Sequence, residues 1–345
     1  MSKTRVFIIA EAGVNHNGDI SIAKKLIDTA VKAGADAVKF QTFKAEKLVV
    51  QAAPKAKYQI ENMGTDESQF EMLKKLELSS SAFKELFAYC EEKNIIFIST
   101  PFDEESADFL DDLGMEIFKI PSGEITNKPL IQHIAAKSKP ILLSTGMSYL
   151  GEVEKAVIWI NESWDRLDKK PVLTLLHCVS NYPASEEDSN LLAMMTMEAA
   201  FGLPVGYSDH TLGVEIPIAA VAMGAKVIEK HFTLDRDLEG PDHKASIESD
   251  ELRAMISAIR NVEKALGDGI KKPIKNEAEL RKIARRSLVL VRDVKAGETI
   301  AANDVTTKRP GTGIQPEFLD LIIGMQAKKN MNAESVLKWE DLKDA

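Results

Sequence analysis

Eight short apolar runs rich in β-formers alternate with segments of helical period, and this alternation restricts the fold of the chain more than any other feature. The runs fall at 5–10, 37–41, 95–99, 117–120, 141–144, 173–177, 205–207 and 227–230. Between the first two, Ile22, Ala23, Leu26, Ile27, Ala30 and Val31 form one helical stripe, and Gly34 follows where a C-cap belongs. Phe83, Leu86, Phe87 and Cys90 repeat the pattern after capping serines at 79–81, and a last helix is expected over 249–266. Strands separated by helices pair in parallel, and eight such units predict an α/β fold closed into a TIM barrel of roughly 250 residues. An open doubly wound sheet is the alternative. It normally carries a glycine-rich phosphate turn after its first strand, and Glu11-Ala12-Gly13-Val14-Asn15-His16-Asn17-Gly18 does not match that fingerprint.

With 345 residues the chain exceeds one barrel, and the surplus lies in two places. Residues 44–78 form a long polar connection after the second run, either a lid over the barrel or a disordered insertion, with a lid favoured. From Gly267 the pattern changes. Gly267-Asp268-Gly269-Ile270-Lys271-Lys272-Pro273 opens a linker, and its basic cluster Arg281, Lys282, Arg285 and Arg286 reads as a solvated face rather than an anion patch. Short alternating runs follow, with turns at Lys295-Ala296-Gly297 and Arg309-Pro310-Gly311, as in a small β-rich domain. The expected division is a barrel at 1–268, a linker at 269–284 and a β-rich domain at 285–345.

Charge and cysteine content narrow the partners. Against 53 acidic residues stand 44 lysines and arginines, a net charge of −9, which offers no counter-charge for nucleic acid or an anionic membrane surface. Met1-Ser2-Lys3-Thr4-Arg5 leads into an apolar segment far too short to span a membrane and without a cleavage site, so a cytoplasmic protein with small-molecule substrates is expected. Cys90 and Cys178 sit within apolar patterns and read as buried reduced thiols.

In a TIM barrel the active site forms at the C-terminal ends of the strands. Every expected strand carries a polar residue there: Glu11; Lys39 and Gln41; Thr100; Lys119, followed by Ser122 and Glu124; Ser144; His177, followed by Ser180 and Tyr182; Ser208 and His210; and His231. Isolated charges are costly to bury, so eight coincidences predict a catalytic or binding mouth. Lys39 and Lys119 with the hydroxyls of Thr100, Ser122, Ser144, Ser180 and Ser208 would surround a compact anion, best a phosphate-bearing substrate. Either lysine could instead be a Schiff-base nucleophile. His210 and His231 end neighbouring strands; they could hold a divalent ion with open positions, or be hydrogen-bonded core histidines. Glu11 and Glu124 suit general acid–base work if burial separates their pKa values. His16 is read as shaping the first loop and His133 as structural.

Ten motifs then appear in order: IAEAGVNHNGD at 9–19, AVKFQTFKA at 37–45, FISTPFD at 97–103, FKIPSGEITN at 118–127, ILLSTGM at 141–147, LLHCVSNYPA at 175–184, VGYSDHT at 205–211, IEKHFT at 228–233, GPDHKAS at 240–246 and KRPGTGI at 308–314. Together they resemble the sialic acid synthase family, phosphoenolpyruvate-dependent enzymes of the N-acetylneuraminate and legionaminate synthase type that make nine-carbon 2-keto-3-deoxy sugar acids. The resemblance covers nearly the whole chain. It implies a TIM barrel followed by an antifreeze-like (SAF) domain, and condensation of phosphoenolpyruvate with N-acetylmannosamine or a close N-acyl hexosamine, releasing phosphate.

By the same resemblance, phosphoenolpyruvate would lie on Lys39, Thr100, Lys119, Ser122, Ser144, Ser180 and Ser208. His210 and His231 would hold a divalent cation, foremost Mn2+, with Mg2+ or Co2+ as alternatives, to polarise the sugar aldehyde. Glu11, beside the sugar, would manage protons together with Glu124, and Gln41, Phe102, Tyr182 and Asp242 would supply the remaining sugar contacts. Some members carry Asn where this chain has Ser180, followed here by Asn181, so either side chain is a candidate for the phosphate. The family's C-terminal domain reaches a partner's barrel in a swapped homodimer, and Arg309 would then touch the sugar's N-acyl group in trans. GPDHKAS and Asp66-Glu67-Ser68-Gln69 resemble bacterial members making N-acetylneuraminate or legionaminate, less so pseudaminate. A metal-independent Schiff-base aldolase and a carbohydrate-binding module on a passive barrel are the competing readings.

Overall fold

The computed structural model describes residues 5–64, 67–165 and 167–344; the first four residues of the leading segment and Asp66 of the motif above lie outside them. The chain divides into two compact units, Met1–Gly267 and Asp268–Ala345.

The first unit is the expected barrel. Its strands are β1 (Phe7–Gly13), β2 (Ala37–Thr42), β3 (Ile96–Pro101), β4 (Phe118–Ile120), β5 (Ile141–Ser144), β6 (Leu173–Cys178), β7 (Val205–Asp209) and β8 (Val227–His231). They pair in parallel in the order β3-β2-β1-β8-β7-β6-β5-β4, and β3 and β4, the two ends of that order, pack against each other. The helix Ile20–Ala33 shows how local signals set these units: Asp19 caps its first turn through Ser21 N, and Gly34 ends it at φ 86. Six strands run further at their C-terminal ends than the apolar runs suggested. β1 continues to Gly13 and β7 to Asp209, because a polar residue pointing into the mouth leaves its backbone free to keep the ladder.

One layer of side chains explains where the functional residues stand. Ile9, Ala37, Ile98, Leu142, Leu176 and Val227, with Ile117, form an apolar floor across the barrel. On β7 the floor is completed by Gly206, where an added Cβ would lie 2.7 Å from Leu176 Cδ2 and 2.5 Å from the Val227 carbonyl oxygen. Side chains two residues further along a strand point the same way. Counting two on from each floor residue reaches Glu11, Lys39, Thr100, Lys119, Ser144, Cys178, Ser208 and Glu229.

The connection at 44–78 is ordered where described, with helices Ala45–Leu48, Lys57–Met63 and Gln69–Leu76. Met72 and Leu76 pack with Val14 and Phe43, which ties the segment to the loops after β1 and β2 and makes it a cover.

In the second unit, the stretch read as a linker contains a ten-residue helix, Lys275–Ala284, none of whose residues is buried. Beyond it β9 (Ser287–Leu290) pairs antiparallel with β10 (Val305–Lys308), and Gln326–Ala327 pairs with Leu342–Lys343. The core there is small, centred on Leu288, Leu290, Ile300, Ile314 and Leu337. Among the described residues no helix is long and apolar enough to cross a membrane.

Candidate active site

Four charged side chains meet above the floor, all almost fully buried. Lys39 Nζ stands 2.8 Å from Glu11 Oε2 and 3.7 Å from Glu229 Oε2, and donates to Thr100 Oγ1 at 3.1 Å. Lys119 Nζ donates to Glu229 Oε1 at 2.9 Å, and the same oxygen accepts from Ser208 Oγ at 2.9 Å. Sign alternates from Glu11 through Lys39 and Glu229 to Lys119, so the cluster is neutral when all four groups are ionised. Unpaired, any one of these charges would be expensive to keep out of water.

Burial and neighbours separate the two carboxylates. Burial pushes Glu11 up to about 7, with Lys39 opposing and Glu229 adding to the shift. Burial also acts to raise Glu229, but the ammonium groups of Lys119 and Lys39 outweigh it and hold Glu229 well below the ordinary carboxylate range. For Lys39 burial favours the neutral amine, and the nearby Glu11 and Glu229 reverse that and raise it. One carboxylate is thus permanently charged between two ammonium groups, while the other exchanges its proton near neutrality.

Beyond this cluster stands a group of hydroxyls at the ends of β4, β5 and β6. Ser122 Oγ accepts from the Gly146 amide at 3.0 Å and lies 3.1 Å from Cys178 Sγ. A methyl on Gly146 would come within 2.3 Å of Ser180 Oγ and 2.8 Å of Ser122 Oγ, so only glycine lets both hydroxyls approach the backbone here. Ser144 Oγ is buried with no hydrogen-bond partner among the described residues, a donor left for a ligand. Asn181 is exposed, which separates it from Ser180.

On the other side stand the histidines. His210 Nδ1 donates to the Val179 carbonyl at 2.5 Å, which leaves the lone pair of Nε2 free. His231 Nδ1 is buried without a hydrogen-bond partner among the described residues, and the two ring centroids are 5.5 Å apart. Burial lowers His210 to about 4 and His231 well below its usual value, the latter helped by His210 and Lys39. Both are neutral at pH 7, the form that ligates metal, so these residues fit a divalent cation. Among the described residues no group of three or more ligating side chains that could hold a metal ion is found.

A family model described as the NeuB family matches residues 26–271. The chain belongs to the NeuB family. A second model, the SAF domain, matches residues 285–343 of the C-terminal unit. The NeuB chain is 51% identical over 338 residues to the N,N'-diacetyllegionaminic acid synthase of Campylobacter jejuni, covering 98% of this chain and 100% of that protein. To the protein of the same name from Legionella pneumophila it is 50% identical, covering 99% and 96%. Among solved structures, an N-acetylneuraminic acid (sialic acid) synthetase from Leptospira borgpetersenii in complex with citrate matches with a TM-score of 0.70 and 38% identity, over 81% of this chain and 90% of that one.

The remaining expected contacts of this NeuB chain divide into two groups. Tyr182 lies with its ring centroid 4.1 Å from that of His210, and Gln41 Nε2 approaches Glu11 Oε1 at 3.5 Å. Asp242 is buried, and burial raises its carboxyl to about 6. A cavity of about 100 Å³ is bounded by Gln41, Tyr58, Tyr182, His231 and Asp242. Other residues stand apart. Glu124, expected to share acid–base work with Glu11, is half-buried and accepts from Asn127 Nδ2 at 2.7 Å; the second carboxylate at the lysines is Glu229. Phe102 meets Phe43 edge-on at 6.1 Å, in the apolar cluster beneath the cover. His177 Nε2 pairs with the Ser189 carbonyl at 2.8 Å and holds the loop after β6. His133 pairs with Asp108 at 2.6 Å on helix surfaces. Arg309 follows β10 in the C-terminal unit.

Glu229 and Cys178 were missed by reading strand ends alone. Each sits two residues beyond a floor residue, so a period-two count from Val227 and Leu176 would have found both.

Proposed function

We propose that the chain condenses phosphoenolpyruvate with an N-acylated hexosamine-type aldehyde, giving a nine-carbon 2-keto acid and inorganic phosphate. The observation that carries this is the buried Glu11–Lys39–Glu229–Lys119 cluster, in the same barrel mouth as a group of hydroxyls and a pair of neutral histidines. Lys39, Lys119 and the hydroxyls of Thr100, Ser122, Ser144, Ser180 and Ser208 hold the carboxylate and phosphate of phosphoenolpyruvate. Gln41, Tyr182 and Asp242 orient the sugar. His210 and His231 hold a divalent cation, foremost Mn2+, which supplies Lewis-acid polarisation of the aldehyde. As the methylene carbon of phosphoenolpyruvate bonds to the aldehyde carbon, water adds to the phosphate-bearing carbon; Glu11, present in both protonation states at pH 7, takes one proton from that water and returns it to the former aldehyde oxygen, which becomes a hydroxyl. Phosphate then leaves from the same carbon together with the proton of its new hydroxyl, and the ketone remains.

Lys119 as a nucleophilic amine is disfavoured, since an ammonium held at 2.9 Å by Glu229 carries no free lone pair. The 51% and 50% identical relatives put 2,4-diacetamido-2,4,6-trideoxymannose first among the sugars to try and N-acetylmannosamine second. The purified chain, given phosphoenolpyruvate, Mn2+ and each aldehyde, should release phosphate and form an adduct of the two carbon skeletons by mass. No release with any N-acyl hexosamine-type aldehyde would reject the reading. Excess chelator should abolish turnover and Mn2+ restore it, and the double variant His210→Ala/His231→Ala should lose tightly bound Mn2+ by metal analysis.

The partner in solution is a second copy of this chain, with Arg309 of one protomer serving the sugar's N-acyl group in the other. The test is co-expression of Lys119→Ala with Arg309→Ala, each impaired alone. Mixed dimers should regain one working site; dimers shown to form without that gain would place Arg309 in cis or outside the reaction.

A further inference from the structure

The helix Lys57–Met63 touches the mouth at two points. Tyr58 stacks on Tyr182 with ring centroids 5.1 Å apart and planes at 27°, and Tyr182 in turn lies against His210. One turn later Asn62 Nδ2 donates to the Pro241 carbonyl at 2.7 Å, next to Asp242 in sequence. Residues four apart share a helix face, so both contacts come from one side of this short element. The helix is otherwise held at its two ends: Gln59 Oε1 accepts from the Ala56 amide at 2.9 Å, and Met63 packs against the apolar cluster of Val14, Phe43, Met72 and Leu76. The loop holding Asp242 is gripped from the opposite side by Asn17, which donates to the Glu239 carbonyl at 2.8 Å and pairs with His243 at 3.2 Å.

We infer that Tyr58 and Asn62 are positioning residues that set the width of the sugar end of the site, Tyr58 through the ring of Tyr182 and Asn62 through the backbone carrying Asp242. The inference deepens the proposed reaction and rests on it for its kinetic consequence. Among the described residues this helix makes no hydrogen bond or ion pair with the residues assigned to phosphoenolpyruvate; Lys39, Lys119 and the serine hydroxyls stand on the barrel strands and their loops. A loosened clamp therefore changes the sugar term alone. Because N-acyl hexosamines differ at their peripheral carbons, a single helix that sets pocket width also decides which of them fits.

The experiment compares Tyr58→Ala, Tyr58→Phe, Asn62→Ala and Asn62→Asp in the full chain, with KM measured for each substrate. Tyr58→Ala and Asn62→Ala should raise the sugar KM on the order of tenfold while the phosphoenolpyruvate KM stays within about twofold. Tyr58→Phe keeps the stacked ring and should resemble the parent. Asn62→Asp keeps the size but cannot donate when ionised, so it should behave as Asn62→Ala. Both KM values rising together, kcat alone falling, or Tyr58→Phe failing as badly as Tyr58→Ala would overturn the inference. Amide hydrogen exchange reads the clamp without turnover: residues 239–243 should exchange faster in Asn62→Ala and Asn62→Asp than in the parent, with 119–124 unchanged. Unaltered exchange at 239–243 overturns the clamp, whereas faster exchange in a chain that turns over no sugar upholds the clamp and counts against the reaction.

Discussion

Lys119 and Glu229 lie 110 residues apart in the chain, yet Lys119 Nζ donates to Glu229 Oε1 at 2.9 Å in the interior of the barrel. Glu229 also faces Lys39 at 3.7 Å, so one carboxylate compensates two ammonium groups that a substrate anion will later share.

Removing that compensation has a particular signature. Glu229→Gln keeps the shape and leaves two buried cations with only Glu11 as counter-charge. Breaking a buried pair in this way costs on the order of 3 kcal/mol, read as a lower urea midpoint of the ligand-free protein. Added phosphoenolpyruvate should recover more of the lost stability in the variant than it adds to the parent, because its negative charge replaces the missing one. Equal stabilisation of both proteins would contradict the assignment of the two lysines to the anion.

The serine hydroxyls can be displaced without touching a charge. Gly146→Ala places a methyl 2.3 Å from Ser180 Oγ, and the expected result is a phosphoenolpyruvate KM raised about tenfold or more with the sugar KM little changed. Ser180→Ala should move in the same direction and Asn181→Ala should not. The reverse order in steady-state kinetics would transfer the phosphate contact to Asn181.

Glu11, raised to about 7 by burial, is poised for proton transfer. Glu11→Gln retains size and much of the hydrogen bonding, so a fall in kcat on the order of 10²-fold or more is expected of a lost general base. A turnover number equal to the parent's, measured where chemistry limits the rate, excludes the role.

His16 makes stability depend on pH. It is buried, its Nδ1 accepts from the Gly18 amide at 3.0 Å, and burial lowers it from 6.5 to about 4. The folded state therefore binds fewer protons than the unfolded chain between those two values. The stabilisation is complete above pH 6.5 and is lost as pH falls toward 4, by on the order of 3 kcal/mol in total. His16→Asn can accept the same hydrogen bond without titrating, so urea midpoints of the two proteins should draw together or cross as pH falls from 7 to 4.5. A constant difference over that range would show that His16 is not the titrating group.

The strand–helix alternation determined the barrel from sequence alone, because parallel strands with helical crossovers have few ways to cover both faces of a sheet. Strand-end chemistry likewise disclosed Lys39, Lys119, His210 and His231, since charged and ligating side chains so close to apolar runs are rarely placed there for packing. Which groups meet was settled only by the tertiary structure. Glu229 sat unremarked inside an apolar run, and its pairing with Lys119 depends on how β4 and β8 face each other across the closed barrel. No local pattern encodes that relation. Glu124 looked equivalent to Glu11 in sequence, yet the turn at 122–124 directs it to Asn127, while the strand register carries Glu11 beside Lys39. The cover at 44–78 was legible as a long polar connection but not as three helices, because its order comes from Met72 and Leu76 packing on Val14 and Phe43, contacts between segments whose spacing in sequence does not announce their meeting.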